Sequence, residues 1–316
     1  MERRSFIRTS ALSTIALTIP AIRSFGSDFP AGFTLPKRAL GKTGEKLSVI
    51  GFGGIMLNNN PEEFAREMIA KAWDMGVNYY DVAPGYGNAQ EKMGPALKNY
   101  RKKCFLACKT QKRDAQSSMN ELHDSLKKLE TDHFDLYQLH ALSSVEEVEK
   151  AFGPGGVMET IEKAKKEGKF RFVGFSAHNV DAAMLAMKNY NFDSILFPIN
   201  FACWEAGDFG PQVYEEAQKK GMGVLALKSM AMTRLKQGEK KLYSNVWYRP
   251  IPDDETMKLG LKFTLSKKIT AAIPPGEGSL FLKAIEFMKD FRPITEEESK
   301  RMEALARQTE PIFKRG

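Results

Sequence analysis

Short apolar runs alternate along this chain with amphipathic stretches, and this alternation constrains the fold more than any other feature of the sequence. Eight runs have the length and composition of strands, at 47–52, 77–80, 104–108, 134–139, 172–175, 194–197, 223–227 and 269–273. Five stretches between them have helical periodicity, at 61–75, 116–129, 157–167, 180–189 and 211–220. A repeated order of strand and helix predicts a parallel sheet. Eight strands in about 280 residues predict a single α/β domain, a closed (β/α)8 TIM barrel.

A polar residue with useful chemistry directly follows four of the apolar runs: Asp81, Lys109, His140 and Ser176. Tyr86 lies a few residues beyond the first of them. Taken singly, each is explained as a polar residue that ends its strand. In a (β/α)8 barrel, however, the carboxyl ends of the strands converge on one face, where active sites are built. The set therefore favours one shared site.

Several motifs carry a resemblance to a known family. They are Leu-Gly-Lys-Thr-Gly at 40–44, Gly-Phe-Gly-Gly at 51–54, Asp-Val-Ala-Pro-Gly-Tyr-Gly at 81–87, Asp-Leu-Tyr-Gln-Leu-His at 135–140 and Gly-Phe-Ser at 174–176. Together they resemble the aldo-keto reductases, over residues 33–308. The resemblance implies a TIM barrel that uses NAD(P)H to reduce a small-molecule aldehyde or ketone to an alcohol.

The resemblance also implies catalytic roles. The family's tetrad of Asp, Tyr, Lys and His corresponds here to Asp81, Tyr86, Lys109 and His140. Tyr86 would donate a proton to the carbonyl oxygen while the nicotinamide delivers hydride to the carbon. Because an unperturbed tyrosine titrates at about 10, a nearby ammonium such as Lys109 is needed to ease its ionisation. Asp81 would keep that ammonium charged, and His140 would orient the carbonyl.

The residues expected to hold the nicotinamide depart from the family's pattern. Ser176 matches it, but Ala177 and His178 follow where the family places an Asn, and residues 196–198 read Leu-Phe-Pro where a Gln is expected. Lys228 lies in the segment where the family places an aromatic ring. We expect Lys228 near a diphosphate or another acidic group, because an ammonium at a barrel mouth is costly without an anion. Asn200 either contacts the cofactor or stabilises its own loop.

The segment 273–279 ends the eighth strand and enters a helix, whose first backbone N–H groups suit a phosphate. The resemblance places the adenosine end of the cofactor here, which assigns Pro274, Gly276, Ser279 and Lys283 to cofactor binding. Glu277 would repel a 2′-phosphate if it faced the ribose, whereas Ser279 and Lys283 would favour one. NADP is therefore the cofactor that the resemblance implies, with NAD as the alternative.

The amino terminus carries an export motif. Arg3 and Arg4 precede an apolar run at 11–22, a pattern that resembles a twin-arginine signal. The run is too short, and too broken by Pro20, for a stable membrane span. Small residues around Gly26 favour cleavage after it, which divides the chain into a signal peptide at 1–26 and a barrel domain at 27–316. We therefore expect a periplasmic or otherwise exported protein that uses the twin-arginine export machinery.

Composition narrows the class of protein. With 42% hydrophobic and 27% charged residues, the 316-residue chain suits one globular domain. Its formal charge of +8 falls to +5 once residues 1–26, with four arginines and one glutamate, are removed. That is not the charge of a nucleic-acid-binding protein. The three cysteines show neither a CxxC motif nor a Cys–His spacing, which predicts free thiols and no metal site.

Two classes of function follow. The first is an exported NAD(P)H-dependent carbonyl reductase. The second is a barrel that binds the cofactor but serves as a binding or redox-sensing subunit with little turnover, as potassium-channel beta subunits do in this family, and the changed nicotinamide residues favour it. A metal-dependent hydrolase is a weak third option, because the first strand has no paired His ligands. In either main class, the segment 230–255 reads as a long loop that could fold over the barrel mouth.

Overall fold

The computed structural model describes residues 32–315, and their main feature is an eight-stranded parallel sheet. The strands in chain order are β1 (Lys37–Ala39), β2 (Lys46–Ser48), β3 (Phe52–Gly53), β4 (Tyr79–Asp81), β5 (Phe105–Thr110), β6 (Phe134–Leu142), β7 (Phe170–Ala177), β8 (Ser194–Pro198), β9 (Gly223–Leu227), β10 (Ala231–Arg234), β11 (Tyr248–Pro250) and β12 (Ala271–Ile273). The sheet runs β3-β4-β5-β6-β7-β8-β9-β12. It closes on itself where the Gly51 N–H donates to the Ala272 carbonyl at 2.9 Å, which confirms the TIM barrel.

Helices alternate with these strands. They are α1 (Glu62–Asp74), α2 (Ala89–Leu97), α3 (Ala115–Lys128), α4 (Val145–Phe152), α5 (Val157–Lys166), α6 (Val180–Asn189), α7 (Phe201–Glu205), α8 (Pro211–Lys220), α9 (Asp254–Leu265), α10 (Gly278–Glu286) and α11 (Glu296–Arg307). The five helices predicted from periodicity correspond to α1, α3, α5, α6 and α8, each within one residue at either end. Their boundaries carry local signals: the Asp114 carboxylate caps α3, and Pro211 opens α8.

The barrel interior follows the period-two alternation of the strands. Inward-facing side chains such as Tyr79, Phe105, Leu136 and Leu225 form a buried cluster inside the ring. The hairpin of β1 and β2 adds Leu40 and Leu47 to this cluster and plugs the amino-terminal end. Apolar residues fill the barrel toward the amino-terminal ends of the strands. The polar residues at the carboxyl ends therefore line its mouth.

One predicted run is divided in the structure. Residues 47–52 read as a single strand, but Leu47 pairs antiparallel with Arg38 in the hairpin, whereas the residues from Val49 to Phe52 pair within the barrel. The chain bends between the two, so this apolar run serves two sheets. The apolar pattern alone does not show where a strand changes its partner.

The predicted loop at 230–255 contains a second hairpin, formed by β10 and β11. Between these strands the chain reaches across the barrel mouth, where Asn58 Nδ2 donates to Asn245 Oδ1 at 3.1 Å and Asn245 Nδ2 donates to the Asn58 carbonyl at 3.0 Å. The same connection passes over Gly276, where a Cβ atom would lie 3.1 Å from the Asn245 carbonyl oxygen. The hairpin and its connection therefore cover one side of the mouth.

The expected signal peptide at 1–26 lies outside the described residues. Within 32–315, no helix combines the length and the apolar character needed to span a bilayer. The same residues contain no group of three or more His, Cys, Asp and Glu side chains able to hold a metal ion. All three cysteines are free and buried.

Candidate active site at the barrel mouth

A buried ion pair forms the floor of the site. Asp81 ends β4, Lys109 lies near the end of β5, and parallel register places their side chains on the same inward face. The Lys109 ammonium donates to Asp81 Oδ1 and, at 3.2 Å, to the Val82 carbonyl. The two side chains are only 0% and 3% exposed, so water contributes almost nothing to their solvation. Each charge therefore depends on the other.

Two further side chains hold the second oxygen of Asp81. The Tyr79 hydroxyl donates to Oδ2 at 3.2 Å, and Gln138 Nε2 donates to the same oxygen at 3.1 Å. Sequence reasoning did not assign these residues to the site. The available signal is their position, because Tyr79 lies two residues before Asp81 and Gln138 two residues before His140, which puts both on inward faces.

Tyr86 reaches the same site from the loop after β4. The Lys109 ammonium lies 5.2 Å from the centre of the Tyr86 ring, and the His140 ring lies 5.8 Å away, almost perpendicular to it. The loop can turn here because Gly87 adopts a positive φ of 58° and packs against Asn58 so closely that a Cβ atom would lie 2.0 Å from Asn58 Oδ1. The structure thus brings together all four residues of the predicted tetrad.

Burial favours the neutral forms of both Tyr86 and Lys109, and nearby charges act against it. Burial raises the pKa of Tyr86, and the Lys109 ammonium offsets part of that rise. For Lys109, burial is the largest influence and acts to lower the pKa, but Asp81, Tyr86 and Cys108 together outweigh it, so that the net pKa lies above the ordinary value. Lys109 therefore stays protonated beside a phenol that keeps its O–H in the resting protein.

His140 is neutral in this environment. Burial, and after it the positive charge of Lys109, holds the pKa of His140 well below its usual range. Its Nδ1 atom is buried and has no hydrogen-bond partner among residues 32–315. A neutral imidazole carries one N–H donor and one acceptor nitrogen, which suits it to hydrogen-bond a carbonyl oxygen.

The backbone around His140 is held from two sides. Arg113 Nη2 donates to the His140 carbonyl at 2.6 Å and also contacts Glu147 at 3.2 Å. Ser176 Oγ accepts from the Ala141 N–H at 2.7 Å, where Ala141 has a positive φ of 54°. Arg113 was not predicted, because it lies on a loop with no periodic pattern. Ser176, predicted as a cofactor contact, fixes the turn that presents His140.

The predicted cofactor residues after β8 and β9 serve different purposes. Asn200 is fully buried. Its side-chain oxygen Oδ1 accepts from the Ala202 and Cys203 N–H groups, and its side-chain Nδ2 donates to the Lys228 and Ala231 carbonyls. This is the loop-stabilising alternative stated for Asn200. Lys228, by contrast, projects at the mouth, with its ammonium 4.9 Å from the centre of the Trp247 ring and 4.7 Å from that of Tyr248.

The amino-terminal end of α10 is occupied by the chain's own side chains. Pro274 and Gly276 are buried beneath the connection that carries Asn245. The Glu277 carboxylate caps the helix and accepts from the Ser279 N–H and hydroxyl groups at 3.4 and 3.3 Å. Lys283 Nζ is paired with Asp254 at 2.5 Å. A phosphate entering here would have to replace the Glu277 carboxylate.

The two ends of a dinucleotide thus meet different surroundings. At the mouth, Ser229 Oγ and His140 Nδ1 are buried polar atoms without partners in residues 32–315, which a bound polar group can satisfy. At α10 the Ser279 N–H and Lys283 already have carboxylate partners. The residues at the mouth fit the nicotinamide end, whereas a phosphate at α10 would compete with Glu277.

Comparisons with known proteins agree with this geometry. The sequence model described as "Aldo/keto reductase family" matches residues 49–270. The uncharacterized oxidoreductase YqkF of Bacillus subtilis is 29% identical over 174 residues, which cover 51% of this chain and 55% of YqkF. L-galactose dehydrogenase of Arabidopsis thaliana is 24% identical over 281 residues, which cover 77% of this chain and 84% of that protein.

Solved structures show the same fold. The holo form of the aldo-keto reductase AKR11C1 from Bacillus halodurans superposes with a TM-score of 0.66 at 23% identity and covers 86% of this chain and 96% of its own. At that identity the likeness concerns the fold alone. The family match extends over most of the chain and includes the strands that carry Asp81, Lys109 and His140. The chain therefore belongs to the Aldo/keto reductase family and is an NAD(P)-dependent oxidoreductase.

Proposed function

We propose that this protein is an exported reductase that uses NAD(P)H to convert an aldehyde or ketone into an alcohol, with Tyr86 as the proton donor. The observation that carries the proposal is the convergence of the Tyr86 phenol, the Lys109 ammonium and the neutral His140 imidazole at one mouth. The reductase is preferred to a subunit with little turnover because the buried Asp81–Lys109 pair maintains a charge beside a proton donor.

Each side chain has a role that follows from its surroundings. A bound nicotinamide supplies the hydride to the carbonyl carbon. His140 donates its N–H to the carbonyl oxygen and orients it, and Tyr86 transfers its proton to that oxygen. Lys109 stabilises the negative charge that develops on the phenol oxygen, and Asp81, held by Tyr79 and Gln138, keeps Lys109 charged and in place.

NADP is proposed as the preferred cofactor, with NAD as the alternative. The family supports a nicotinamide cofactor, and Ser279 and Lys283 would favour a 2′-phosphate if they exchanged their carboxylate partners Glu277 and Asp254 for it. Glu277 opposes it, because its carboxylate lies on the helix end where such a phosphate would approach.

Replacement of Tyr86 by Phe tests the proton donor. We expect Tyr86→Phe to lower kcat for carbonyl reduction by about 100-fold or more, because general acid catalysis of this kind contributes that much, while the affinity for NADPH is retained. Turnover and cofactor fluorescence would be measured on the mature domain with a panel of aldehydes and ketones.

Tyr100→Phe is the matched control for this experiment. Tyr100 packs against Trp73 on the outside of the barrel, at 5.0 Å between ring centres, and its replacement should leave turnover unchanged. Unchanged turnover in Tyr86→Phe would remove Tyr86 from the acid role. Failure of the unmodified protein to bind either NADPH or NADH would end the reductase proposal.

A further inference from the structure

Lys228 carries a positive charge at the barrel mouth with no acidic partner. Among residues 32–315, no carboxylate contributes to the pKa of Lys228, which burial lowers to about 8, so the ammonium still predominates at pH 7. Instead, Trp247 and Tyr248 present their rings to it at 4.9 and 4.7 Å. Aromatic faces attract a cation but do not neutralise it, so the ammonium keeps an unmatched charge that a bound anion would compensate.

The position of Lys228 is fixed by its backbone. The residue has a positive φ of 68°, which is uncommon for a side chain other than glycine. Its carbonyl accepts from Asn200 Nδ2 and from the Ala231 N–H, both at 3.0 Å. Such conformations persist where the surroundings enforce them, and they cluster at ligand sites. The buried Asn200 therefore presents the Lys228 side chain to the mouth.

The ammonium lies on the catalytic side of the mouth. Burial, and after it the charge of Lys228, lowers the pKa of His178 to about 4. The same charge is one of the smaller causes of the lowered pKa of His140. His140 lies near the carboxyl end of β6, and His178 directly follows the neighbouring strand β7. The adenosine end of a dinucleotide is expected at α10, where Lys283 is already paired with Asp254, and its diphosphate is the other anion expected near Lys228. Lys228 directly follows β9, so a ligand group there lies at the same carboxyl-terminal mouth as His140.

The walls around Lys228 are aromatic and carry further positive charge. Phe313 stacks on His178 at 5.0 Å and lies 6.1 Å from Trp247. The Arg234 guanidinium lies 5.9 Å from the Trp247 ring at the exposed rim. Trp247 is 39% exposed, so the side chain best placed to flank a ligand is also open to solvent. The walls offer flat apolar surface and cationic groups.

We infer that Lys228 binds an anionic oxygen group of the substrate, and that the substrate is a carbonyl compound with a carboxylate, such as a keto acid or an aldehyde acid. This inference rests on the proposed reductase function and specifies its substrate class. A cofactor phosphate has the same chemistry as a ligand for an ammonium, and the experiment below separates the two sources.

The kinetic experiment uses two substrates that differ only in charge, 4-carboxybenzaldehyde and its methyl ester. With the mature protein and NADPH, we expect kcat/KM to be at least about tenfold higher for the acid, since a hydrogen bond to a charged group has that effect. Lys228→Met should lower the ratio of acid to ester by about 10- to 100-fold, mainly through KM. Lys240→Met, which removes an exposed lysine from the same hairpin connection, should leave the ratio unchanged.

A binding experiment gives a readout that does not need turnover. Calorimetric titration with 4-(hydroxymethyl)benzoate and the corresponding benzamide, without cofactor, should show tighter binding of the acid to the unmodified protein. That preference should be lost in Lys228→Met and kept in Lys240→Met. Affinities of each variant for NADPH and NADH would be measured by fluorescence.

The outcomes separate the two proposals. A preference for the acid that depends on Lys228 supports the inference even if no carbonyl is reduced, in which case the proposed function fails alone. Equal binding and equal turnover of the acid and neutral compounds overturn the inference and leave the reductase function standing. A loss of NADPH affinity in Lys228→Met, without a change in the acid-to-neutral ratio, assigns Lys228 to the cofactor and also overturns it.

Discussion

Lys109 is charged at a position that water does not reach, and its neighbours explain how. The ammonium donates to Asp81 and to the Val82 carbonyl, while Tyr79 and Gln138 complete the shell of Asp81. The pair is costly to bury but costlier to break, because either partner alone would be an uncompensated charge. In the proposed mechanism the pair keeps a cation beside Tyr86, because a phenol that gives up its proton needs a nearby positive charge.

A double-mutant cycle on this pair tests that explanation. Lys109→Met should lower the free energy of unfolding by about 3–5 kcal/mol and abolish turnover, because it leaves Asp81 unpaired. Asp81→Asn combined with Lys109→Met should recover much of the stability and none of the activity. Urea unfolding and steady-state kinetics would be compared across the four proteins. A double variant as unstable as Lys109→Met would show that packing, not charge, accounts for the loss.

At the scale of the element, the carboxyl ends of β4, β5 and β6 and the amino end of α10 behave differently. The strand ends leave polar groups open to a ligand, whereas at α10 the Glu277 carboxylate already accepts from the Ser279 N–H. A carboxylate at a helix amino terminus stabilises the helix, and it also repels any anion that approaches. The helix therefore folds well without a ligand and discriminates against a phosphate.

Glu277 can be tested by removing its charge. Glu277→Gln should raise the affinity for NADPH by roughly threefold to tenfold relative to NADH, because one repulsive charge near the 2′-phosphate is lost. Dissociation constants for both cofactors would be measured by fluorescence titration. Glu286→Gln, at the opposite end of α10, is the control and should leave the ratio as it is. If both variants shift the ratio equally, the effect is one of net charge and not of the helix end.

At the scale of the whole molecule, the two ends of the barrel divide stability from chemistry. At the amino-terminal end, Asp135 accepts from Arg101 at 3.1 Å, from Arg171 at 2.8 Å and from the Leu106 N–H at 2.8 Å. These contacts tie strands and loops together far from the mouth. The carboxyl-terminal end holds the tetrad, Lys228 and the covering hairpin, as is general for this barrel.

The proposed export would concern the molecule as a unit, because the twin-arginine route carries proteins that have already folded, and a cofactor can be bound before transport. We expect Arg3→Lys combined with Arg4→Lys to keep the protein inside the cell in a bacterium with this route, whereas Arg8→Lys combined with Arg23→Lys should not. Fractionation followed by immunoblotting measures the distribution. Equal export of both variants would contradict a twin-arginine signal.

The sequence by itself predicted the barrel strands, five of the helices between them and the inward faces, because period-two and helical patterns are local and strand ends are readable from them. The four residues of the tetrad were implied by the family resemblance. Tertiary structure alone decided which distant side chains meet. Gln138 binds Asp81 across 57 residues, and Asn58 binds Asn245 across 187. The role of Asn200, the capping by Glu277 and the aromatic surroundings of Lys228 likewise depend on how the barrel closes and how its loops cross the mouth. No local pattern encodes those contacts, since they arise only when strands far apart in the chain share one ring.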